Sequence, residues 1–332
     1  MWGLKTNKII KLDVKDKKII ELLSENSRVS NKYISKKVEL KQDTVAYRIK
    51  RLEKKGVIQN FIPIINYPML GYQIYHVFFA IDESKKEKEL IEEMINLGRV
   101  IQIYEYSDNW DLEIVLLAKN VKEFDTILKD IKAKYQETIL DSSYLLEIYR
   151  YDTKLFSGLF PNKKIIKKKK LKKINYDHLD LQILNELAKN CRLSTYKIAE
   201  KIDLSADAIG IRIKKLVECN IIKKFSISYD FGVIGYNWFT FVINMRVFDS
   251  INEKKFMHFI QNCQGIVKAK RTFGGWGILI NIVASNSKSY HELIRKIKTT
   301  FGDILFQYTT YDGYREHHYD AMPRILSKQQ TL

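Results

Sequence analysis

The sequence predicts an α+β protein in which one unit, a winged helix-turn-helix followed by a ferredoxin-like βαββαβ domain, is written twice. Two observations carry this: an ungapped internal repeat, and a switch from helical to alternating hydrophobic period at the same place in each copy. Residues 13–61 align with 177–225 at a constant offset of 164, with identities including Asp13/Asp177, Asp16/Asp180, Leu23/Leu187, Arg28/Arg192, Ser30/Ser194, Arg48/Arg212, Lys50/Lys214, Leu52/Leu216 and Phe61/Phe225. A repeat this long is a tandem pair of domains, since solenoid repeats run roughly 20–50 residues. The expected boundaries are 8–66 for the first winged helix-turn-helix, 67–160 for the first ferredoxin-like domain, 161–174 for a linker, and 175–230 and 231–325 for the second pair.

Each element has a local reason. Ile19, Ile20, Leu22 and Leu23 recur at helical spacing after Asp16, Tyr33, Ile34 and Val38 mark a second helix, and Val45, Ile49 and Leu52 a third over 42–55. Gly56 stops the third helix, where a left-handed residue is wanted. Residues 57–70 read as an extended wing and connector, because Pro63 and Pro68 oppose a helix. From Gly71 the pattern becomes strand 71–81, helix 84–97, strands 100–106 and 110–118, helix 121–135 and strand 144–151, the split βαββαβ order. Copy two repeats it after Gly235, with strand 236–248, helix 252–263, strands 265–273 and 276–284, helix 289–301 and strand 304–320. The matched alternation of Leu112, Ile114 and Leu116 with Ile278, Ile280 and Ile282 leads us to expect the two effector domains to pair within one chain. Assembly of whole chains into a homo-oligomer stays open.

Composition narrows the partners. A formal charge of +18 favours a polyanion such as double-stranded DNA, and the linker holds eight lysines in fourteen residues. A solvated spacer and a strand lying along phosphates are compatible readings of that segment. Cys191, Cys219 and Cys263 have no metal-type spacing and no even count, so neither a metal nor a disulfide framework is expected, and no cofactor is implied. With no signal-peptide pattern at the start and no apolar run approaching ~18 residues, the cytoplasm is expected and a membrane is not.

A recognition helix must turn one face to the protein and the other to a groove. Stepping 100° per residue along 42–55 clusters Val45, Ile49 and Leu52 inward and turns Asp43, Tyr47, Lys50 and Lys54 outward, with Gln42, Thr44 and Arg51 at the flanks. Gln pairs with adenine, Lys with guanine, and Lys or Arg with phosphate. The expected DNA-binding set is therefore Lys41, Gln42, Asp43, Thr44, Tyr47, Arg48, Lys50, Arg51 and Lys54 in copy one, and Ser205, Arg212, Lys214 and Lys215 in copy two. Arg48 and Arg212 lie at the edge of the buried stripe and suit a phosphate clamp or domain packing equally. For Arg28 and Arg192 an ion pair with a first-helix acid, such as Asp16 or Asp180, is preferred over phosphate. The copies are unequal: Tyr47 and Lys54 become Ile211 and Glu218, Gln42 and Thr44 become Ala206 and Ala208, and net charge falls from +4 over 41–56 to +1 over 205–220. Gly210 inside the second recognition helix costs about 1 kcal/mol relative to Ala, a sign of relaxed demands there.

Through Asp13-x-x-Asp16, Asn26-Ser27-Arg28, Ser30, Arg48 to Glu53, Gly56-Val57-Ile58 and Gly71, and their counterparts Asp177, Asp180, Asn190, Arg192, Arg212 to Leu216, Ile221-Ile222 and Gly235, the chain resembles the Lrp/AsnC family of transcription regulators, twice over. The resemblance implies a winged helix-turn-helix joined to a ferredoxin-like effector and oligomerisation domain that often responds to amino acids or other small molecules. It places a small-molecule pocket near the turn between the second and third effector strands, hence on Asp108, Trp110 and Asp111 in copy one and Gly274, Gly275 and Trp276 in copy two. The family's Gly and Asp are not both kept in either turn, which weakens that placement. A pocket wall and plain packing each account for the two tryptophans.

Two rival readings stand beside regulation. Sirohaem decarboxylases resemble the same two-domain fold, and six histidines, including His317 and His318, are available to a tetrapyrrole. Against this, neighbours on a strand point to opposite faces, and no acid/base constellation recurs in both copies. The third reading is a protein-binding module whose degenerate second head is a docking surface.

Overall fold

The computed structural model describes residues 9–82, 86–153, 156 and 176–327; the lysine-rich segment 161–174 lies outside the described residues. Copy one runs α1 (Val14–Glu25), α2 (Asn31–Val38), α3 (Gln42–Lys54), β1 (Ile58–Ile65), β2 (Gln73–Ile81), α4 (Glu87–Asn96), β3 (Val100–Tyr106), β4 (Leu112–Ala118), α5 (Val121–Lys134) and β5 (Ile139–Asp152). Copy two runs α6 (His178–Lys189), α7 (Thr195–Ala199), α8 (Ala206–Glu218), β6 (Ile222–Tyr229), β7 (Asn237–Met245), α9 (Ser250–Asn262), β8 (Ile266–Gly274), β9 (Ile278–Ala284), α10 (Ser287–Phe301) and β10 (Leu305–Tyr319), closed by a short α11 (Arg324–Ser327). The three-helix heads and both βαββαβ orders are those expected from the sequence.

The repeated Asp-x-x-Asp starts each first helix. Asp13 accepts from the Asp16 amide at 2.7 Å while Asp16 accepts from the Asp13 amide, a capping box, and Asp177 and Asp180 do the same in α6. Such caps satisfy amide donors that no helical carbonyl can reach. Gly56 takes the left-handed conformation at φ +73° and ends the third helix.

The connector differs from expectation in two ways. Residues Tyr67–Leu70 form a 3-10 turn rather than an extended link, with Pro68 in the first turn, where a missing amide costs nothing. The expected wing is not a local feature: β1 pairs antiparallel with β6 of the other copy, Phe61 opposite Ile227 and Pro63 opposite Phe225. Copy one and copy two therefore share one two-stranded sheet beneath their heads.

The two effector sheets close on each other. Their eight strands form a barrel in the order β10-β3-β4-β2-β5-β8-β9-β7. Its seams join the copies, with Leu145 opposite Gly274 and Asp152 opposite Lys268 along β5–β8, and Gly313 opposite Tyr106 and Tyr319 opposite Gln102 along β10–β3. Pairing within the chain thus takes the form of strand addition at both edges, which removes exposed edges altogether. The residues expected to drive it face elsewhere: Leu112, Ile114 and Leu116 pack against α4 and α5, and Ile278, Ile280 and Ile282 against α9 and α10. A period of two identifies two faces without saying what covers each.

The opposite face points into the barrel and is polar at its centre. Both ring nitrogens of His76 meet carboxylates, Nδ1 at 2.6 Å from Glu113 and Nε2 at 3.2 Å from Glu147, and all three side chains are buried. The Tyr106 hydroxyl donates to Glu113 and lies 2.8 Å from Thr240 Oγ1, and Lys270 Nζ is 3.7 Å from Glu113. The strand registers relate the effector domains by 164 residues at β2/β7, with Gln73 and Asn237 opposite Ala118 and Ala284, and by 166 beyond. By that relation His76 corresponds to Thr240, Glu113 to Leu279 and Lys270 to Tyr104, so each charge has a neutral counterpart. The network exists only when copy one faces copy two.

Candidate nucleic-acid interface

Helix α3 sits as the sequence requires. Val45, Ile49 and Leu52 are buried, while Gln42, Asp43, Tyr47, Lys50 and Lys54 are exposed, as is Lys41 at its N-cap, and Thr44 is half-buried. No side chain caps the helix, so Lys41 and Gln42 remain uncommitted at a terminus whose dipole favours an anion. In α8, Ile209, Ile213 and Leu216 are buried and the outward positions carry Asp207, Ile211, Lys214 and Glu218. Ile211 is 70% exposed where Tyr47 is 67% exposed, so the two occupy equivalent outward sites with different chemistry.

Five residues expected on DNA have structural partners within the heads. Arg48 Nη1 reaches Asp13 at 2.7 Å and Asp16 at 2.8 Å, and Arg51 Nη2 reaches Asp16 at 2.5 Å. Arg212 binds Asp177 and Asp180, both at 2.9 Å, and Lys215 binds Asp180 at 3.1 Å. Each third helix is thereby clamped to its first helix through a buried aspartate. Bonding to Asp13 and Asp16 raises the Arg48 guanidinium's affinity for its proton, and Asp180 and Asp177 do the same for Arg212. Ser205 caps α8, accepting from the Ala208 amide at 3.2 Å. Of the copy-two set, Lys214 alone faces outward uncapped, and it lies 3.9 Å from Glu218.

The expectation for Arg28 and Arg192 is also corrected, because the aspartates are already taken. Arg28 Nη1 donates across the copies to the carbonyls of Cys191 at 2.5 Å and Leu193 at 2.9 Å, and its guanidinium lies 5.4 Å from the Phe225 ring centre. Arg192 mirrors it over Phe61 at 5.1 Å and donates to Asn31 at 3.3 Å. Where the copies meet, Ser27 and its counterpart Cys191 touch at 3.0 Å. These contacts hold one head against the other.

The turns expected to hold an effector are engaged in packing. Asp108 accepts from the Asp312 amide of copy two at 2.6 Å, and Asp111 accepts from the Ile81 amide at 2.7 Å. Trp110 packs on Phe78, and burial pushes up the pKa of the Tyr311 hydroxyl, with Trp110 and Trp276 acting against it. A Cβ at Gly274 (φ +138°) would lie 2.6 Å from the Tyr144 carbonyl, so this glycine permits the β5–β8 seam to close. Gly275 offers its carbonyl to Asn244 at 3.1 Å. The signal the sequence reading passed over is the set of polar residues inside apolar strands, His76, Glu113, Lys268 and Lys270.

His317 and His318 part company as alternation requires: His317 Nε2 lies 2.6 Å from Glu105, whereas burial lowers the pKa of His318. Among the described residues, Glu87, Glu105 and His317 form a cluster with one ligand atom each within 4.8 Å, in which the histidine already has its hydrogen-bond partner. No helix among the described residues is long and apolar enough to cross a membrane.

Two family profiles match the heads, "Winged helix-turn-helix DNA-binding" over residues 12–59 and "AsnC-type helix-turn-helix domain" over 177–217. The HTH-type transcriptional regulator FL11 of Pyrococcus furiosus is 32% identical over 117 residues, covering 35% of this chain and 78% of that protein. An uncharacterized HTH-type transcriptional regulator of Pyrococcus horikoshii is 32% identical over 126 residues, 38% of this chain and 79% of its own length. Both align to well under half of this chain while being mostly covered themselves, as single units compared with a duplicated one must. Among solved structures, the siroheme decarboxylase NirDL superposes over 95% of this chain and 97% of its own with a TM-score of 0.60 and 15% identity, a likeness of fold.

Proposed function

Because the chain belongs to the Lrp/AsnC family of helix-turn-helix transcription regulators, we propose that it reads duplex DNA chiefly with α3, through Gln42, Thr44, Tyr47, Lys50 and Lys54, while α8 adds mainly non-specific attraction. The observation that carries this reading is the exposed, uncommitted polar face of α3 beside an α8 face where Ala206, Ala208, Ile211 and Glu218 stand. Arg48, Arg51, Arg212 and Lys215 brace the heads and set the angle of each recognition helix. The effector barrel holds the two heads together and offers a place for a small molecule to act on them. The regulatory reading is preferred to a decarboxylase because the sequence relatives are regulators and the enzyme shares only fold.

The test is the salt dependence of binding. Each neutralised phosphate contributes about −0.9 to the slope of log K against log salt, so several contacts by α3, α8 and the lysine-rich segment should give roughly −4 or steeper. Fluorescence anisotropy on a labelled duplex between low and physiological salt measures it. A slope near zero removes the nucleic-acid reading.

A further inference from the structure

Helix α8 presents one large apolar side chain on its outward face. Ile211 is 70% exposed at the position where α3 carries Tyr47, and the outward residues around it, Asp207, Lys214 and Glu218, are charged. The polar groups that α3 offers beside Tyr47 are gone as well, since half-buried Ala206 and Ala208 take the places of Gln42 and Thr44. A single exposed isoleucine among charges is too small an anchor for a protein partner, because a specific interface buries about 1,000 Å² or more. It is the right size for one methyl group.

The chemistry of the major groove decides what such a side chain can recognise. Each base pair shows hydrogen-bond donors and acceptors along its major-groove edge, and the one apolar feature among them is the C5 methyl of thymine. An isoleucine packed on that methyl takes apolar surface out of water on both partners. Packed on a G·C edge, it would instead cut the cytosine amino group or the guanine acceptors off from water and supply no partner, which is unfavourable. Preference for thymine therefore comes from exclusion as much as from attraction. Lys214, exposed three residues further along the same face, supplies a charge for phosphate and carries no base preference in that role.

Resting on the DNA-reading function above, we propose that Ile211 is the specificity-determining residue of the second head and that it selects thymine by its methyl group. The first head then reads by hydrogen bonds and the second by one apolar contact. The half-site under α8 is weakly specified as a result, but its preference has a defined chemical origin.

Fluorescence anisotropy of the full chain on a duplex enriched from a random pool tests it. Each thymine of the weakly specified half is replaced in turn by uracil, which removes the methyl and leaves every hydrogen-bonding group in place. One such replacement is expected to weaken wild-type binding about fourfold, the value of one buried methyl group. In Ile211→Ala the thymine and uracil duplexes should bind alike, Ile211→Val should keep part of the preference, and Lys214→Ala should weaken both duplexes equally. Thermal melting of the three variants confirms that they are folded. Uracil that binds as tightly as thymine throughout that half overturns the proposal and leaves Ile211 to a protein surface. A thymine preference that survives in Ile211→Ala overturns it too, because the methyl is then read by another residue. A pool with no enriched sequence is a failure of DNA reading itself, whereas enrichment without a methyl effect sinks this inference alone.

Discussion

Replacing Glu113 by Ala is expected to destabilise the chain by about 3–5 kcal/mol, the cost of breaking a buried ion pair by removing one partner. Glu113 lies at the centre of the barrel and serves His76, Tyr106 and Lys270 at once. Without it the buried Lys270 ammonium loses its nearest carboxylate and the imidazole keeps only Glu147. Removing charge on both sides is expected to be far milder, so Glu113→Leu with Lys270→Met should recover most of the loss, Leu being the residue that the repeat carries at the equivalent position 279. Urea unfolding of the single and double variants measures both quantities.

The same network predicts a pH dependence. Burial alone would raise the Glu113 carboxyl, but the Lys270 ammonium and hydrogen bonds from His76 and Tyr106 outweigh it and hold the pKa at about 2, against an ordinary 4.5. Glu147 is also held at about 2, burial being overcome by His76 and Arg150. A carboxyl depressed in the folded state stabilises fully above its unfolded pKa and loses that contribution as the fold is protonated. Stability should therefore fall steeply between pH 4.5 and about 2, and less steeply in Glu113→Gln. A parallel fall in that variant would assign the acid sensitivity to other carboxylates.

The second large effect separates the heads. Tyr47→Ala with Lys50→Ala is expected to cost about 1–3 kcal/mol for each lost base contact and to relax sequence preference in one half-site. Ile211→Ala with Lys214→Ala should cost less, because Ile211 offers no hydrogen bond and Lys214 stands near Glu218. Both pairs are exposed and outside the cores, so the comparison reads binding rather than folding. Equal losses on one operator at one salt concentration would rank the copies wrongly.

Local features were legible in the sequence because they depend on near neighbours. The inward stripe of Val45, Ile49 and Leu52, the paired Asp-x-x-Asp caps and the βαββαβ order follow from period and capping chemistry alone. What failed to show was every contact made across the repeat. Phe61 meets Ile227 and Arg28 meets Cys191, partners whose separation no local pattern encodes. Arg51 and Lys215 looked free, and Arg48 and Arg212 stayed undecided between phosphate and packing, because a helical wheel shows a side chain's direction but not the aspartate one helix away. His76, Glu113 and Lys270 were overlooked for a related reason: polar residues in an alternating strand read as solvent-facing, whereas here that face is covered by the other copy's sheet.

Selection of binding sites from a random duplex pool tests the central claim most directly, that one chain presents two joined but unequal DNA-reading heads. The account predicts an enriched site with one well-defined half and a second half that is weakly specified. A palindrome with equally sharp halves would contradict the inequality of α3 and α8, and a pool that stays random would contradict sequence reading altogether.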